Sequence, residues 1–155
     1  ISSIIPLVAK KDDNPDGVPK EDLDGILDAV RNDRVTFLKD FHKNFYNYSE
    51  NDETVSQGVL DYDFIIASHA SPVGTVNAAL AWAETDFRSE LKNVNVPTLI
   101  LHGNKDNIVP IETAGDQAAE GIENNTYHVI HGAPHGMNLT HRKEVNKYLI
   151  EFLKS

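Results

Sequence analysis

Apolar residues recur at helical spacing through the first half of the chain. A first set follows Pro19 at positions i, i+3, i+4 and i+7 and so lies on one helical face: Leu23, Ile26, Leu27 and Val30. Proline suits a first helical position, and the acidic residues after it suit the positive end of the helix dipole. The pattern predicts this helix and a second one over residues 33–45.

Two further helices are predicted by capping signals. The segment 54–57 (Thr-Val-Ser-Gln) reads as a capping box that opens a third helix. We expect its buried side to contain Val55, Val59, Tyr62, Ile65 and Ile66. Ser71 and Pro72 open a fourth helix that runs to about Glu84, and residues 86–91 suit a short helical turn.

From Val96 the pattern changes to short apolar runs that alternate with helical segments. Strands are predicted over 98–102 and 127–130, and helices over 110–121 and 141–153. This alternation predicts an α/β fold with a parallel sheet covered on both faces. Residues 1–11 read as the end of a core strand stopped by Pro6, residues 12–91 as a helical insertion and residues 92–155 as the C-terminal core.

Composition excludes several classes of function. The formal net charge is −10, without a basic stripe, which argues against binding nucleic acid or an anionic membrane surface. Cysteine is absent, so disulfides and thiolate zinc sites are excluded and a cytoplasmic location is expected. His131 and His135 have the spacing of one helical turn, but the glycines and proline around them disfavour a helix, so we predict no metal site.

Two ionisable residues follow the two predicted strands. Asp106 comes after the first strand and the turn at Gly103, and His135 comes after the second strand, beside Pro134. Because functional groups of open parallel sheets gather at the carboxyl ends of the strands, we expect both side chains on one rim. Within hydrogen-bonding reach, they would form the acid–histidine half of a Ser-His-Asp triad. His102, at a strand end, is expected to pack against the neighbouring strand.

The nucleophile that would complete such a triad is not found. No Gly-x-Ser-x-Gly elbow occurs in the sequence, and Ser2 and Ser3 lack the glycines of a strained turn. The chain also starts inside an apolar run without methionine. We therefore expect a C-terminal segment of a larger protein, accompanied by its missing N-terminal half or by another copy of the chain, because half a parallel sheet leaves an unpaired edge.

Several motifs resemble those of a known family. The acid and histidine segments are similar in order and spacing to those of the α/β-hydrolase superfamily: His102-Gly103-x-x-Asp106-x-x-Val109-Pro110 and Pro134-His135-Gly136. Three others resemble the cap of the cofactor-free bacterial haloperoxidases, also called perhydrolases, which act as esterases: Asn14-Pro15-Asp16-Gly17, Thr54-Val55-Ser56-Gln57-Gly58 and Glu84-Thr85-Asp86-Phe87. The resemblance covers essentially the whole chain.

The resemblance implies the C-terminal part of an α/β-hydrolase fold with a helical cap insertion over residues 12–91. It implies a parent enzyme in which a serine attacks a small-molecule ester or carboxylic acid, with Asp106 and His135 as catalytic partners. Water would complete hydrolysis, and hydrogen peroxide in its place would give a peracid, without metal, haem or other cofactor. Without the serine, the 155-residue chain is predicted to be inactive by itself.

Two alternatives stay open. The chain could belong to a non-catalytic binding module of the same fold, although a binder has no physical need for the Asp106–His135 pair. It could also belong to a haloalkane dehalogenase-like or cofactor-free oxygenase enzyme, which reuses the histidine. A serine, an aspartate or neither at the nucleophile position would distinguish these hypotheses. The cap aromatics, including Phe45 and Tyr46, are expected in the core rather than at the site.

Overall fold

Five helices form the first half of the chain in a computed structural model that describes residues 1–154. They are α1 (Lys20–Asn32), α2 (Arg34–Phe45), α3 (Tyr48–Asn51), α4 (Gln57–Ser68) and α5 (Pro72–Glu84). The side chain of Asp33 caps α2 by accepting a hydrogen bond from the Thr36 N–H at 3.0 Å. The first, second and fourth predicted helices are confirmed, whereas the pattern does not predict α3.

The third predicted helix, α4, differs from the prediction in its start and in its buried face. Its cap is Ser56, whose hydroxyl accepts a hydrogen bond from the Val59 N–H, so a capping box at Thr54 is wrong. Val55 and Leu60 are buried, but three residues expected inside are 53–64% exposed: Tyr62, Ile65 and Ile66. Because apolar residues occupy most sides of α4, spacing alone does not identify its packed face.

Two parallel strands form the sheet in the second half. They are β1 (Thr98–Gly103) and β2 (Asn125–Ile130), paired in register from Thr98 with Asn125 to Gly103 with Ile130. The remaining helices are α6 (Gly115–Gly121), α7 (Met137–Thr140) and α8 (Arg142–Lys154). The predicted parallel sheet is confirmed. The single helix expected over 110–121 is divided into a 3₁₀ turn (Ile111–Thr113) and α6, because Ala114 has a non-helical backbone.

Side chains of β1 alternate between two layers. Leu101 belongs to a buried cluster with Ile130, Ala133, Met137 and the α8 residue Val145. His102 instead contacts Gly115 at the start of α6, where a Cβ on the glycine would lie only 2.8 Å from the His102 Cβ. This alternation directs Leu101 into the core and His102 toward the segment that follows β1.

The first residues carry no assigned strand and are joined to β1 by one backbone bond. In this bond the Ser2 N–H donates to the Leu101 carbonyl at 2.9 Å. Ser2 has a left-handed φ of 44°, and Pro6 has no N–H to donate. The end of a core strand over residues 1–11 stays a prediction.

In the described part of the chain, no single helix is long and apolar enough to cross a membrane. Helices α4 and α5 satisfy the length and composition criteria only when taken together, and they are bent by 98°.

Candidate active site

The acid loop, residues 104–109, follows β1 and fixes the carboxylate of Asp106 through its own backbone. Asp106 Oδ1 accepts hydrogen bonds from the N–H groups of Ile108 at 2.9 Å and Val109 at 2.8 Å. The Asp106 N–H donates to the Gly103 carbonyl at 3.2 Å. The side chain is fully buried, so the loop presents its second oxygen, Oδ2, in a dry environment.

The histidine loop, residues 131–136, follows β2 and lies directly against the acid loop. The Lys105 N–H donates to the Ala133 carbonyl at 3.0 Å, and Asn104 Oδ1 accepts from the Gly132 N–H at 2.7 Å. Gly132 has a left-handed φ of 77°, which glycine adopts readily. A Cβ at Gly103 would lie 2.2 Å from the Ala133 carbonyl oxygen. The close approach of the two loops therefore requires glycine at position 103.

The two loops bring the predicted acid and histidine together. His135 Nδ1 lies 2.8 Å from Asp106 Oδ2, and the His135 side chain is 18% exposed. Because a carboxylate only accepts, Nδ1 donates this hydrogen bond. In neutral His135 the unprotonated nitrogen is then Nε2, on the opposite side of the ring. The arrangement leaves one basic nitrogen to exchange a proton.

A second imidazole reaches the same carboxylate oxygen. His102 Nε2 lies 3.3 Å from Asp106 Oδ2 and 3.0 Å from the Val109 carbonyl oxygen, with the ring 1% exposed. Since both neighbours are acceptors, Nε2 of His102 carries the proton, and its N–H is shared between the two oxygens. The predicted packing of His102 against the neighbouring strand does not include this contact. Asp106 follows His102 by four residues, just beyond the end of β1. This spacing is a signal that could have indicated the contact.

The surroundings of Asp106 act on its pKa in opposite directions. Burial is the largest single influence and raises the pKa. Hydrogen bonds from His102, His135 and the Val109 N–H lower it, and together they outweigh burial. The pKa of Asp106 therefore lies well below its usual value of 3.8. The residue carries a negative charge where the imidazolium of His135 would need stabilisation.

The first half of the chain also contributes to the site. The Phe45 ring lies edge-on to the His135 ring, with centroids 4.7 Å apart, and the Phe45 carbonyl accepts from the Gly136 N–H at 2.8 Å. A Cβ on Gly136 would lie 2.3 Å from the Tyr46 ring. Phe45 was expected in the core rather than at the site, so sequence reasoning missed this contact, which joins residues far apart in the chain.

The other candidates from the sequence do not join this cluster. Across residues 1–154, no three histidine, cysteine or acidic side chains are grouped as a metal ion would require. His131 Nδ1 accepts a hydrogen bond from Asn104 Nδ2 at 3.2 Å. Ser2 is buried, and its hydroxyl has no partner in the described residues. Ser3 is exposed.

Comparison with known proteins matches this architecture. Residues 9–142 match the family model described as alpha/beta hydrolase fold. The whole chain is 35% identical to a non-heme chloroperoxidase of Streptomyces lividans and 34% identical to a bifunctional esterase/perhydrolase of Acinetobacter calcoaceticus, covering 56% of each. A bromoperoxidase structure from Bacillus anthracis superposes on 99% of the chain with a TM-score of 0.94 and 39% identity, over 56% of its own length.

These similarities agree with the two parallel strands and their flanking helices. The chain spans about half the length of the curated relatives it matches. Its homologues are non-heme chloroperoxidases and an esterase/perhydrolase, and the described strands and helices form part of their fold. The chain thus belongs to the alpha/beta hydrolase fold family.

Proposed function

We propose that this chain supplies the acid and the general base of a serine hydrolase that acts on small-molecule esters. The observation that carries the proposal is the 2.8 Å hydrogen bond between His135 Nδ1 and the buried carboxylate of Asp106. It leaves Nε2 of a partly exposed imidazole free to accept a proton. The low pKa of Asp106 supports the proposal, because an ionised acid stabilises the imidazolium that forms during acyl transfer.

In the proposed reaction, the serine Oγ attacks the ester carbonyl while His135 Nε2 takes the hydroxyl proton. The tetrahedral intermediate collapses, the bond to the alcohol breaks, and His135 returns the proton to the departing alkoxide. Water then gives a proton to His135 and attacks the acyl-serine. The bond to the serine breaks, His135 returns the proton to the serine Oγ, and the acid is released. Hydrogen peroxide in the place of water releases a peracid by the same proton transfers.

The serine in this proposal lies outside the 155 residues. Two observations support that placement: the sequence contains no Gly-x-Ser-x-Gly motif, and the chain spans 56% of its chloroperoxidase and perhydrolase relatives. The remaining part of the fold, or another copy of the chain, is the proposed partner. The isolated chain is accordingly proposed to be inactive.

A chimera tests the proposal. The chain replaces the matched part of the Streptomyces lividans relative, whose remaining part is expected from the family resemblance to carry the serine. We expect the chimera to hydrolyse p-nitrophenyl acetate and to react with a fluorophosphonate, whereas the isolated chain does neither. A peracid assay with acetate and hydrogen peroxide measures the reaction in which peroxide takes the place of water.

The matched control is the chimera with His135→Gln. A folded control that hydrolyses the ester as fast as its parent would contradict the proposal, and so would fluorophosphonate labelling of the isolated chain. An aspartate at the nucleophile position of the native N-terminal part would favour dehalogenase-like chemistry. Ligand binding without turnover would favour a binding module.

A further inference from the structure

The corner between α2 and α3, residues 45–47, contacts three separate parts of the molecule. Phe45 holds the histidine loop through its carbonyl and its ring. The Tyr46 hydroxyl donates to Asp63 Oδ2 of α4 at 2.7 Å, which fixes the corner to the helical half. Asn47 reaches the acid loop. One short segment therefore contacts both loops of the candidate site.

Asn47 makes two hydrogen bonds that bracket Asp106 in sequence. Its Nδ2 donates to the Lys105 carbonyl at 2.8 Å, and its Oδ1 accepts from Asn107 Nδ2 at 2.9 Å. Asn47 is 8% exposed, and both bonds are partly buried. Its backbone is left-handed, with φ 45° and ψ 54°, a conformation that asparagine tolerates better than most residues.

The position of these bonds gives Asn47 a specific mechanical role. The bonds from Ile108 and Val109 to Asp106 lie within the acid loop and fix the carboxylate only relative to that loop. The backbone of Lys105 is held on both sides. Its N–H donates to the Ala133 carbonyl, and its carbonyl accepts from Asn47 Nδ2. Asn47 thus fixes the loop relative to the helical half.

We propose that Asn47 is a positioning residue that holds the acid loop so that Asp106 faces His135. The inference rests on the proposed function, because it assigns to the helical half a part in the same acid–histidine site. It does not require Asn47 to touch substrate. Loss of its amide releases residues 105 and 107 on the side that faces the helical half and loosens the loop around Asp106.

The test measures amide hydrogen exchange in the isolated chain, without substrate. The reporters are the N–H groups of Ile108 and Val109, which are protected by Asp106. Asn47→Gly keeps a residue that readily adopts the left-handed backbone but removes the amide. Asn47→Asp keeps the size but places an acceptor against the Lys105 carbonyl. We expect both to accelerate exchange of the two reporters roughly tenfold.

The matched control is Asn51→Ala. The Asn51 side chain donates to the carbonyls of Tyr46 and Asn47 and not to the acid loop, so its loss disturbs the corner alone. We expect little change at Ile108 and Val109 in this variant. The ring nitrogen resonances of His135 provide a second readout, expected to change in the Asn47 variants and not in the control.

Asn107→Ala keeps the test decisive if the Asn47 variants fold poorly. Asn107 is exposed, and its loss removes one of the two bonds from the loop side. It should accelerate exchange in the same direction by a smaller factor. Unchanged exchange in Asn47→Gly and Asn107→Ala, or equal acceleration in Asn51→Ala, would overturn the inference. If the Asn47 variants accelerate exchange as expected and Asn51→Ala does not, an inactive chimera would reject only the proposed reaction.

Discussion

The core behind the sheet and the outer face of α4 and α5 bury their apolar residues to very different degrees. In the sheet half, Leu101, Ile130 and Met137 are completely buried. In the helical half, α4 and α5 present Tyr62, Ile65, Ile66 and Val73 at 53–70% exposure.

The contrast indicates where residues 1–154 determine their own packing. Strands β1 and β2 are covered by α8, and the loops that follow them satisfy one another through backbone bonds. The apolar face of α4 and α5 has no such cover in the described residues. Substitutions should therefore have large effects at the sheet end and small ones on this face.

The largest expected effect is on catalysis at the sheet end. In the chimera described above, Asp106→Asn removes the charge that fixes the tautomer of His135 and stabilises its imidazolium. We expect kcat for p-nitrophenyl acetate to fall by a factor on the order of 10⁴, by analogy with triad enzymes. Asp116→Asn is the control, since Asp116 accepts from Tyr127 and lies outside the site. A similar loss in both variants would argue against a specific role for Asp106.

A matched pair of isoleucines measures the contrast directly. Ile130 is completely buried and Ile65 is 53% exposed. Ile130→Ala should lower the free energy of unfolding by about 2–5 kcal/mol, because it removes buried methyl groups and leaves a cavity. Ile65→Ala should change it by less than about 0.5 kcal/mol. Urea unfolding of the isolated chain checks both values. Comparable losses would mean that another surface covers α4 in solution.

Histidines give a second pair with smaller expected effects. His102→Leu removes the His102 donor from the Val109 carbonyl and one of the two ring donors to Asp106 Oδ2, and should cost about 1–3 kcal/mol of unfolding free energy. His102→Gln retains an amide donor and should recover part of the loss. The exposed His69→Leu is the control, expected within about 0.5 kcal/mol. A Gln variant no better than Leu would indicate that packing, rather than the hydrogen bonds, is lost.

Lowering the pH should give the smallest and most gradual change in unfolding free energy. Because the folded-state pKa of Asp106 lies below its usual 3.8, its ionisation stabilises the fold above that pH, and this contribution is lost as pH falls through the folded-state pKa. The unfolding free energy of the unmodified chain should therefore decline more steeply than that of Asp106→Asn as pH falls below about 4.

The comparison with Asp106→Asn isolates one carboxylate. Arg88 lowers the pKa of Asp86 to about 2, so Asp86 also titrates in this range, but it is present in both proteins and cancels. Urea unfolding at several acidic pH values gives the two slopes. Parallel slopes would show that Asp106 titrates alike in the folded and unfolded chains.

Sequence reasoning succeeded where local chemistry determines structure. Apolar runs bounded by turn residues predicted β1 and β2, and the shared rim of parallel strands predicted that Asp106 and His135 would lie close together. It failed for α4, where apolar residues on most sides leave the packed face to be chosen by tertiary contacts. It also missed Asn47 and Phe45, since no local pattern links the α2–α3 corner to loops that follow strands much later in the chain.

The spacing between the two loops depends on main-chain atoms rather than on the reactive side chains. Gly103 lies flush against the Ala133 carbonyl, and the Lys105 N–H bonds to that same oxygen. Replacing the carboxylate of Asp106 or the imidazole of His135 should consequently leave the distance between the acid loop and the histidine loop almost unaltered. This rim is therefore a scaffold on which a different pair of side chains could be installed by design, provided that position 103 keeps its glycine.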